Sequence, residues 1–454
     1  MLDRLINDFK NKKIVILGFG KEGKSTYKFL RKYFKDVHIS IRDANTNIKN
    51  DPLVESDNNI EFITGEDYLE NLEQYDIIMK TPGISFKDIN IDKIKDKIFS
   101  QLEFLLKYYK NNIIGITGTK GKSTTSSLMY DILRNNQKDC RLLGNIGIPI
   151  FDFIDTVDED TLLVVEMSSH QLEFVKNSPK IAIITNFYED HLDHTKGIED
   201  YYQSKLNIVR YQQKDNSLVY FEGCKTLDDY VSSSNIESEI FKVNFDNETI
   251  ITYSDGNYIY VNKEKVYDIN DKRNLIGNHN LINIMLVLTV SRLLHLDNEK
   301  TKDAINNFQP LEHRLELVGT FNNITYYNDA IATIPEATMN GIKSLEKVNT
   351  LIFGGLDRGI NYSEFIDYLN TSTVENLICM PTTGHTIAES LNNMNTCKNI
   401  YLVDTLEEAV DTAKQITKEG KICLMSPAAA SYEHFKNFEE KGNTFKKLVK
   451  NRFN

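Results

Sequence analysis

Residues 115–125 read GITGTKGKSTT. Glycines there free backbone N–H groups to face phosphate oxygens, and a lysine at the turn can reach terminal phosphates. The helix that follows adds the positive end of its dipole. The common spacing GxxxxGK[ST] asks for a glycine at position 116, where this chain has Ile116. A bare glycine turn ahead of a helix cap is the competing reading. The strand–loop–helix context and the paired Thr124 and Thr125 favour ATP. On that reading Gly118, Thr119, Lys120, Gly121, Lys122, Ser123 and Thr124 form the phosphate loop, and the hydroxyl of Ser123 faces Mg2+.

A second glycine turn, GFGKEG, precedes it with Gly18, Gly20 and Gly23. Asp43 follows about 20 positions later, where an acidic residue can take a ribose hydroxyl. A dinucleotide site, a nucleotide-sugar site and a purely structural turn all fit these residues. VVEMSSHQLE puts Glu166 at the end of an apolar run beside the phosphate loop, a position suited to a Mg2+ ligand. TNFYEDHLDHT carries Glu189, Asp190, His191, Asp193 and His194. Most of these suit a solvated acidic turn, with His191 the candidate that faces a metal. Lys205, in YYQSKLNIV, reads from its residue type alone as a surface charge. In LEHRLELVG, His313 and Arg314 suit either a surface ion pair or a guanidinium aimed at a transferring phosphoryl group. Asp329 closes a strand, where it can bind a ribose or cap a helix.

These residues need rigid elements to hold them. KIVILGFG, KSTYKFLRKYF and VHISIRD alternate as strand, helix and strand, and YDIIMKTPGIS adds a strand ending in a Pro-Gly turn. NIIGITGTKGKSTT opens a second unit, in which TLLVVEMSS and IAIITNF are continuous apolar runs of the kind buried in parallel sheets. Residues 217–270 alternate and carry turn residues, which predicts a small antiparallel insert. LINIMLVLTVSRLL is too short to span a bilayer and predicts a buried helix. ITYYND, NTLIFGG, ENLICM and KICLMS predict a third α/β unit. The expected fold is α/β in three domains. These are an N-terminal Rossmann-like domain (1–104), a central P-loop ATPase-type parallel sheet with the antiparallel insert (105–310), and a C-terminal Rossmann-like domain (311–454).

The 454 residues fit about three domains. A formal net charge of -12 argues against wrapping nucleic acid, so any anionic ligand must be held by local cations. Five scattered cysteines, with no CxxC pair, fit a reducing cytoplasm better than a disulfide framework. No signal-peptide pattern opens the chain and no membrane insertion is expected.

In order along the chain stand GITGTKGKST, GNIG, EMSSHQLE, EDHLDH, GNHN, EHRLE, YYND, GGLDRG and SPAAASYEHFKNFEEKGNTF. With them the sequence resembles the Mur ligase family of ATP-dependent amide ligases, and within it the glutamate-adding branch. The resemblance implies a cytoplasmic, monomeric enzyme of peptidoglycan precursor synthesis. It would use ATP and two Mg2+ ions to join glutamate to UDP-N-acetylmuramoyl-L-alanine through an acyl phosphate. It implies that Lys122 holds the β- and γ-phosphates and that Glu166 and His191 bind metal. Lys205 matches the lysine the family carbamylates, which would make it metal-orienting. Asn280, Arg314 and Asp329 match ATP positions. Gly20, Lys21, Asp43 and Gly83 match the uridine and pyrophosphate site, and Asn145 and Gln171 the muramoyl-alanyl site. Thr333, Arg358, Ser431 and Phe438 match the amino-acid site. One departure stands out: NDAIAT replaces the branch's NDSKAT, so Ala330 and Ile331 stand for a serine and a lysine. D-glutamate is the expected amino acid, and this departure keeps L-glutamate as the alternative. A nucleotide-binding protein without catalysis is the alternative of another class, opposed by the intact Lys122, Glu166, His191 and Lys205.

Overall fold

Ile14–Leu17 is buried at all four positions, as a strand covered on both faces must be. It pairs in parallel with Ile39–Asp43 on one side and Ile77–Lys80 on the other. Ile60–Thr64 and Ile98–Phe99 complete a five-stranded parallel sheet. The chain leaves the first strand towards one side and later returns to the other. The C-terminal edge between Ile14–Leu17 and Ile77–Lys80 is therefore the topological switch point, where open α/β sheets place ligands.

The computed structural model describes residues 2–144, 149–188, 197–309, 312–345, 347–394, 396–431 and 435–452. They divide into two compact units. The first is Met1–Lys272 with Ile282–Asn307, and the second is Arg273–Leu281 with Phe308–Asn454. The first unit holds the five-stranded sheet and a nine-stranded central sheet. In the central sheet Ile113–Thr117 lies between Leu162–Glu166 and Ile181–Ile184, all parallel. Cys140–Gly144 forms the parallel edge beyond Leu162–Glu166.

Residues 217–270 differ from the expectation. Ser217–Phe221 and Glu239–Val243 run parallel to the sheet and extend it. Only Thr252–Ser254, Tyr258–Val261 and Glu264–Asp268 form an antiparallel meander. Ser217–Phe221 is a continuous apolar run, buried at Leu218, Val219 and Tyr220, which is the mark of a strand covered on both faces in a parallel sheet. The apolar run at 281–294 lies in the helix Asn278–Leu293. Ile284, Met285, Leu286, Val287, Leu288 and Val290 are all buried there, so its all-round hydrophobicity is spent inside the protein. Among the described residues no helix is long and apolar enough to cross a membrane.

The second unit carries a six-stranded sheet, parallel except for Glu316–Phe321 at its edge. Ile422–Met425 lies between Ile324–Asn328 and Val348–Phe353. The loops that leave these three adjacent strands carry NDAIAT, GGLDRG and SPAAAS.

Candidate active site

The phosphate-type loop joins the buried strand Ile113–Thr117 to the helix Lys122–Asn135. Two of its glycines are required. Gly118 has φ +142° and Gly121 φ +84°. A Cβ on Gly118 would lie 2.0 Å from Thr185 Oγ1, and one on Gly121 2.7 Å from Asn283 Oδ1. The next strand's end clamps the loop. Thr119 N–H donates to Asn186 O (3.0 Å) and Lys120 N–H to Asn186 Oδ1 (2.9 Å). Thr185 Oγ1 donates to Lys120 O (2.6 Å). Such a loop needs no reorganisation when a ligand arrives, which is how preorganised donors gain their strength.

Lys122, the first helical residue, donates from Nζ to Gly118 O (3.0 Å) and Thr119 O (2.9 Å). Lys205, on the helix Ile198–Arg210, is almost completely buried and donates to the same Gly118 O (2.9 Å). Its ammonium also stands 4.4 Å from the Tyr201 ring centroid. It is no surface charge, contrary to the default reading of its residue type. Two ammonium groups thus converge on one carbonyl oxygen.

Glu166 closes Leu162–Glu166 level with Ile116, and Thr117 Oγ1 donates to Met167 O (2.8 Å). The carboxylate of Glu166 and the hydroxyl of Ser123 are the hard oxygen donors beside the loop that suit Mg2+. Among the described residues no group of three or more His, Cys, Asp or Glu is placed to hold a metal ion. His191 and Asn145 lie outside the described residues, as do Glu189, Asp190, Asp193 and His194.

At the switch point of the first sheet the three glycines divide by role. Gly18 has φ +87°, and a Cβ there would stand 2.1 Å from Thr81 Oγ1; one on Gly23 would stand 2.0 Å from Gly18 O. These two serve packing. Cβ atoms on Gly20 and Gly83 would meet nothing within 4 Å, so both face open space. Gly20 caps the helix Lys21–Tyr33, and Lys21 is exposed. Asp43 is committed locally, accepting from Phe19 N (2.7 Å) and Asn45 N (2.8 Å), which leaves it less free for a ribose. Gln171 is buried in a capping box with Ser168. Its side chain also meets the carboxyl of Glu22, which burial pushes up to about 7 against the pull of Gln171 and Lys80.

In the second unit, Asp329 accepts from Leu315 N (3.2 Å) and Ser426 Oγ (2.8 Å). Burial pushes its carboxyl up to about 7, with Arg314 nearby opposing. Burial and the same guanidinium hold His279 down to about 4. Asn280, buried, donates from Nδ2 to Ile276 O (2.8 Å). The three strand-end loops bind one another. Ala428 N donates to Ala332 O, Gly354 N to Pro427 O and Leu356 N to Ala430 O, each at 2.9 Å. This brings together the loops bearing Thr333, Arg358 and Ser431. Arg358 is exposed. Ser431 Oγ is buried with no hydrogen-bond partner among the described residues, a costly state that a ligand can relieve. Phe438 starts the helix Phe438–Asn451, its ring 6.0 Å from that of His313. Ala330 is fully buried in the core, so its missing hydroxyl is not one lost from a ligand surface.

Sequence reading missed Thr185 and Asn186, the clamp of the phosphate loop, whose signal was their place at a strand end. It also missed Lys441, buried on the last helix, which donates to Gly354 O (2.9 Å) and so fixes the turn that carries Arg358.

Comparison with known proteins accounts for this arrangement. Residues 12–100 match the MurD-like N-terminal domain of Mur ligases, 116–291 the Mur ligase middle domain, and 313–429 the glutamate ligase domain of Mur ligases. UDP-N-acetylmuramoylalanine–D-glutamate ligase of Clostridioides difficile is 35% identical, with 98% of this chain and 99% of that protein covered. The protein of the same name from Oenococcus oeni is 33% identical, with 98% of each covered. In fold, the chain is similar to UDP-N-acetylmuramate-alanine ligase of Thermotoga maritima (TM-score 0.60, 19% identity, 97% of this chain and 100% of that one). It is equally similar to the MurF ligase of that organism in complex with ADP (TM-score 0.60, 16% identity, 98% and 97%). With relatives this similar over nearly its whole length, the chain belongs to the Mur ligase family of ATP-dependent ligases.

Proposed function

We propose that this enzyme adds D-glutamate to UDP-N-acetylmuramoyl-L-alanine at the expense of ATP. The observation that carries the reading is full-length similarity to relatives bearing that name. The geometry supports it. A rigid phosphate loop with Lys122 at its mouth suits the β- and γ-phosphates of ATP. The L-alanyl carboxylate oxygen attacks the γ-phosphorus and ADP leaves, giving an acyl phosphate. The amine of glutamate then attacks the acyl carbon, loses a proton, and phosphate departs as the amide forms. Mg2+, which Ser123 and Glu166 would hold, supplies charge neutralisation to the phosphates. Gly20, Lys21 and Gly83 suit the UDP part at the switch point of the first sheet. Thr333, Arg358, Ser431 and Phe438 suit glutamate, with Arg358 supplying the positive charge that Ile331 does not. Asn280, Arg314 and Asp329 suit the adenosine and phosphate groups of ATP. The domain limits 1–104, 105–310 and 311–454 follow the same reading.

Phosphate release measured with each substrate omitted in turn tests this. Release should need ATP, the UDP-sugar and D-glutamate together. Release with L-glutamate and not with D-glutamate overturns the stereochemical assignment. No release with any muramoyl acceptor overturns the activity.

A further inference from the structure

The apolar strand Ile77–Lys80 ends in a cation. Lys80 is 4% exposed. Its Nζ stands 3.2 Å from Glu173 Oε2. The rings of Phe86 and Phe174 flank it, with centroids at 5.7 and 5.5 Å, and meet each other edge-on. The carboxyl of Glu22, which burial pushes up to about 7, also lies near Lys80 and is only partly ionised at neutral pH. Lys80, Phe86 and Glu22 come from the part of the first unit built on the five-stranded sheet. Glu173 and Phe174 follow Gln171 by two and three positions in the part built on the central sheet.

Lys80 Nζ is closed off from solvent and makes no hydrogen bond among the described residues, so the 3.2 Å ion pair and the two rings are what hold it. Its effect must pass through what it holds. On its own strand it precedes the turn Thr81–Pro82–Gly83, and Thr81 Oγ1 donates to Leu17 O (2.9 Å), tying that turn to the Gly18 turn. On the other side its ion pair fixes the segment bearing Gln171. A small cavity lined by Lys80, Pro82, Ser100, His170 and Gln171 lies where the two meet. An apolar contact could hold these parts together. A desolvated ammonium fixed by a carboxylate and two rings also sets their spacing, because either charge left alone is strongly unfavourable.

We propose that Lys80 is a positioning residue for the nucleotide-sugar, setting the distance between the Gly83 turn and Gln171. This rests on the proposed function, which puts the UDP and muramoyl-alanyl ends of the substrate at those two places.

Lys80→Met keeps the stem between the rings and removes the charge; Lys80→Arg keeps the charge. Lys80→Met should raise the KM for UDP-N-acetylmuramoyl-L-alanine at least fivefold while kcat and the KM for ATP stay within twofold. Lys80→Arg should restore most of the loss. An unchanged KM, or equal losses in every parameter alongside a lower melting temperature, overturns the proposal. If Lys80→Met does not fold, Glu173→Gln, at a partly exposed side chain, should give the same selective rise, and its failure to do so is equally decisive. Calorimetric titration with the same nucleotide in the absence of ATP reads the shift without turnover. Wild-type protein that binds the nucleotide but releases no phosphate thus counts against the ligase reading and not against Lys80.

Discussion

Lys205 shows how much a single residue's meaning depends on its surroundings. Its ammonium is buried and shares Gly118 O with that of Lys122. Carbamylation joins the Lys205 nitrogen to the carbon of CO2, releases the two protons that the ammonium loses, and turns one of these two cations into an anion. Lys205→Ala is therefore expected to lower kcat at least a hundredfold, the scale of losing a preorganised charge at a transferring group. Short carboxylic acids should restore part of the activity; full activity in the variant without them refutes the role. Asp329 gives a second test. Its carboxyl is raised to about 7 from the ordinary range near ~3.9. The folded state therefore binds a proton the unfolded chain has released. The stability this confers is complete at low pH and is lost as pH rises through about 7. His279, held down to about 4, has the opposite sign, and its contribution is lost as pH falls from the usual histidine range. Comparing Asp329→Asn with the wild type isolates the aspartate. The variant should gain relative stability between pH 5 and pH 8, on the order of a few kcal/mol. A constant difference in denaturation midpoints across that range refutes the assignment.

Among the elements, the two glycine turns differ in what they demand. Gly118 combines a left-handed φ with a would-be Cβ 2.0 Å from Thr185 Oγ1. Gly118→Ala should cost about 1–3 kcal/mol in chemical denaturation and abolish ATP turnover. Gly20 has φ -74° and open space where its Cβ would be. Gly20→Ala should leave stability within about 0.5 kcal/mol of wild type. On the proposed function it should still weaken nucleotide-sugar binding, because a methyl would intrude where the backbone would meet the pyrophosphate. A variant that binds as the wild type does removes Gly20 from the site. Both turns were legible as motifs. Their division of labour was not, because GxGxxG does not say which glycine packs and which faces a ligand.

At the scale of the whole molecule, three parallel-rich sheets each place functional loops at their strand ends. The apolar runs predicted most of the inner strands, since a strand covered on both faces must be continuously hydrophobic. Ile60–Thr64 breaks its apolar residues with Glu61, and Asn399–Leu402 is a short run exposed at Leu402; both lie on sheet edges, only partly buried, and were missed. The family resemblance implies a monomer. Analytical ultracentrifugation should show one species near the 52.3 kDa of a single chain, and a concentration-independent dimer would contradict this.

The sequence by itself determined the order of motifs, the parallel α/β character and the family resemblance, because glycine turns and apolar runs are local and leave local signatures. Only the tertiary structure decided which charges are buried together. Lys80 with Glu173, Lys205 over the phosphate loop, and Lys441 on Gly354 O join residues 87 to 93 positions apart. A lysine in an apolar strand or on an amphipathic helix looks the same in sequence whether water or a carbonyl receives its charge. Burial removes the water, and the fold alone supplies the partner that replaces it.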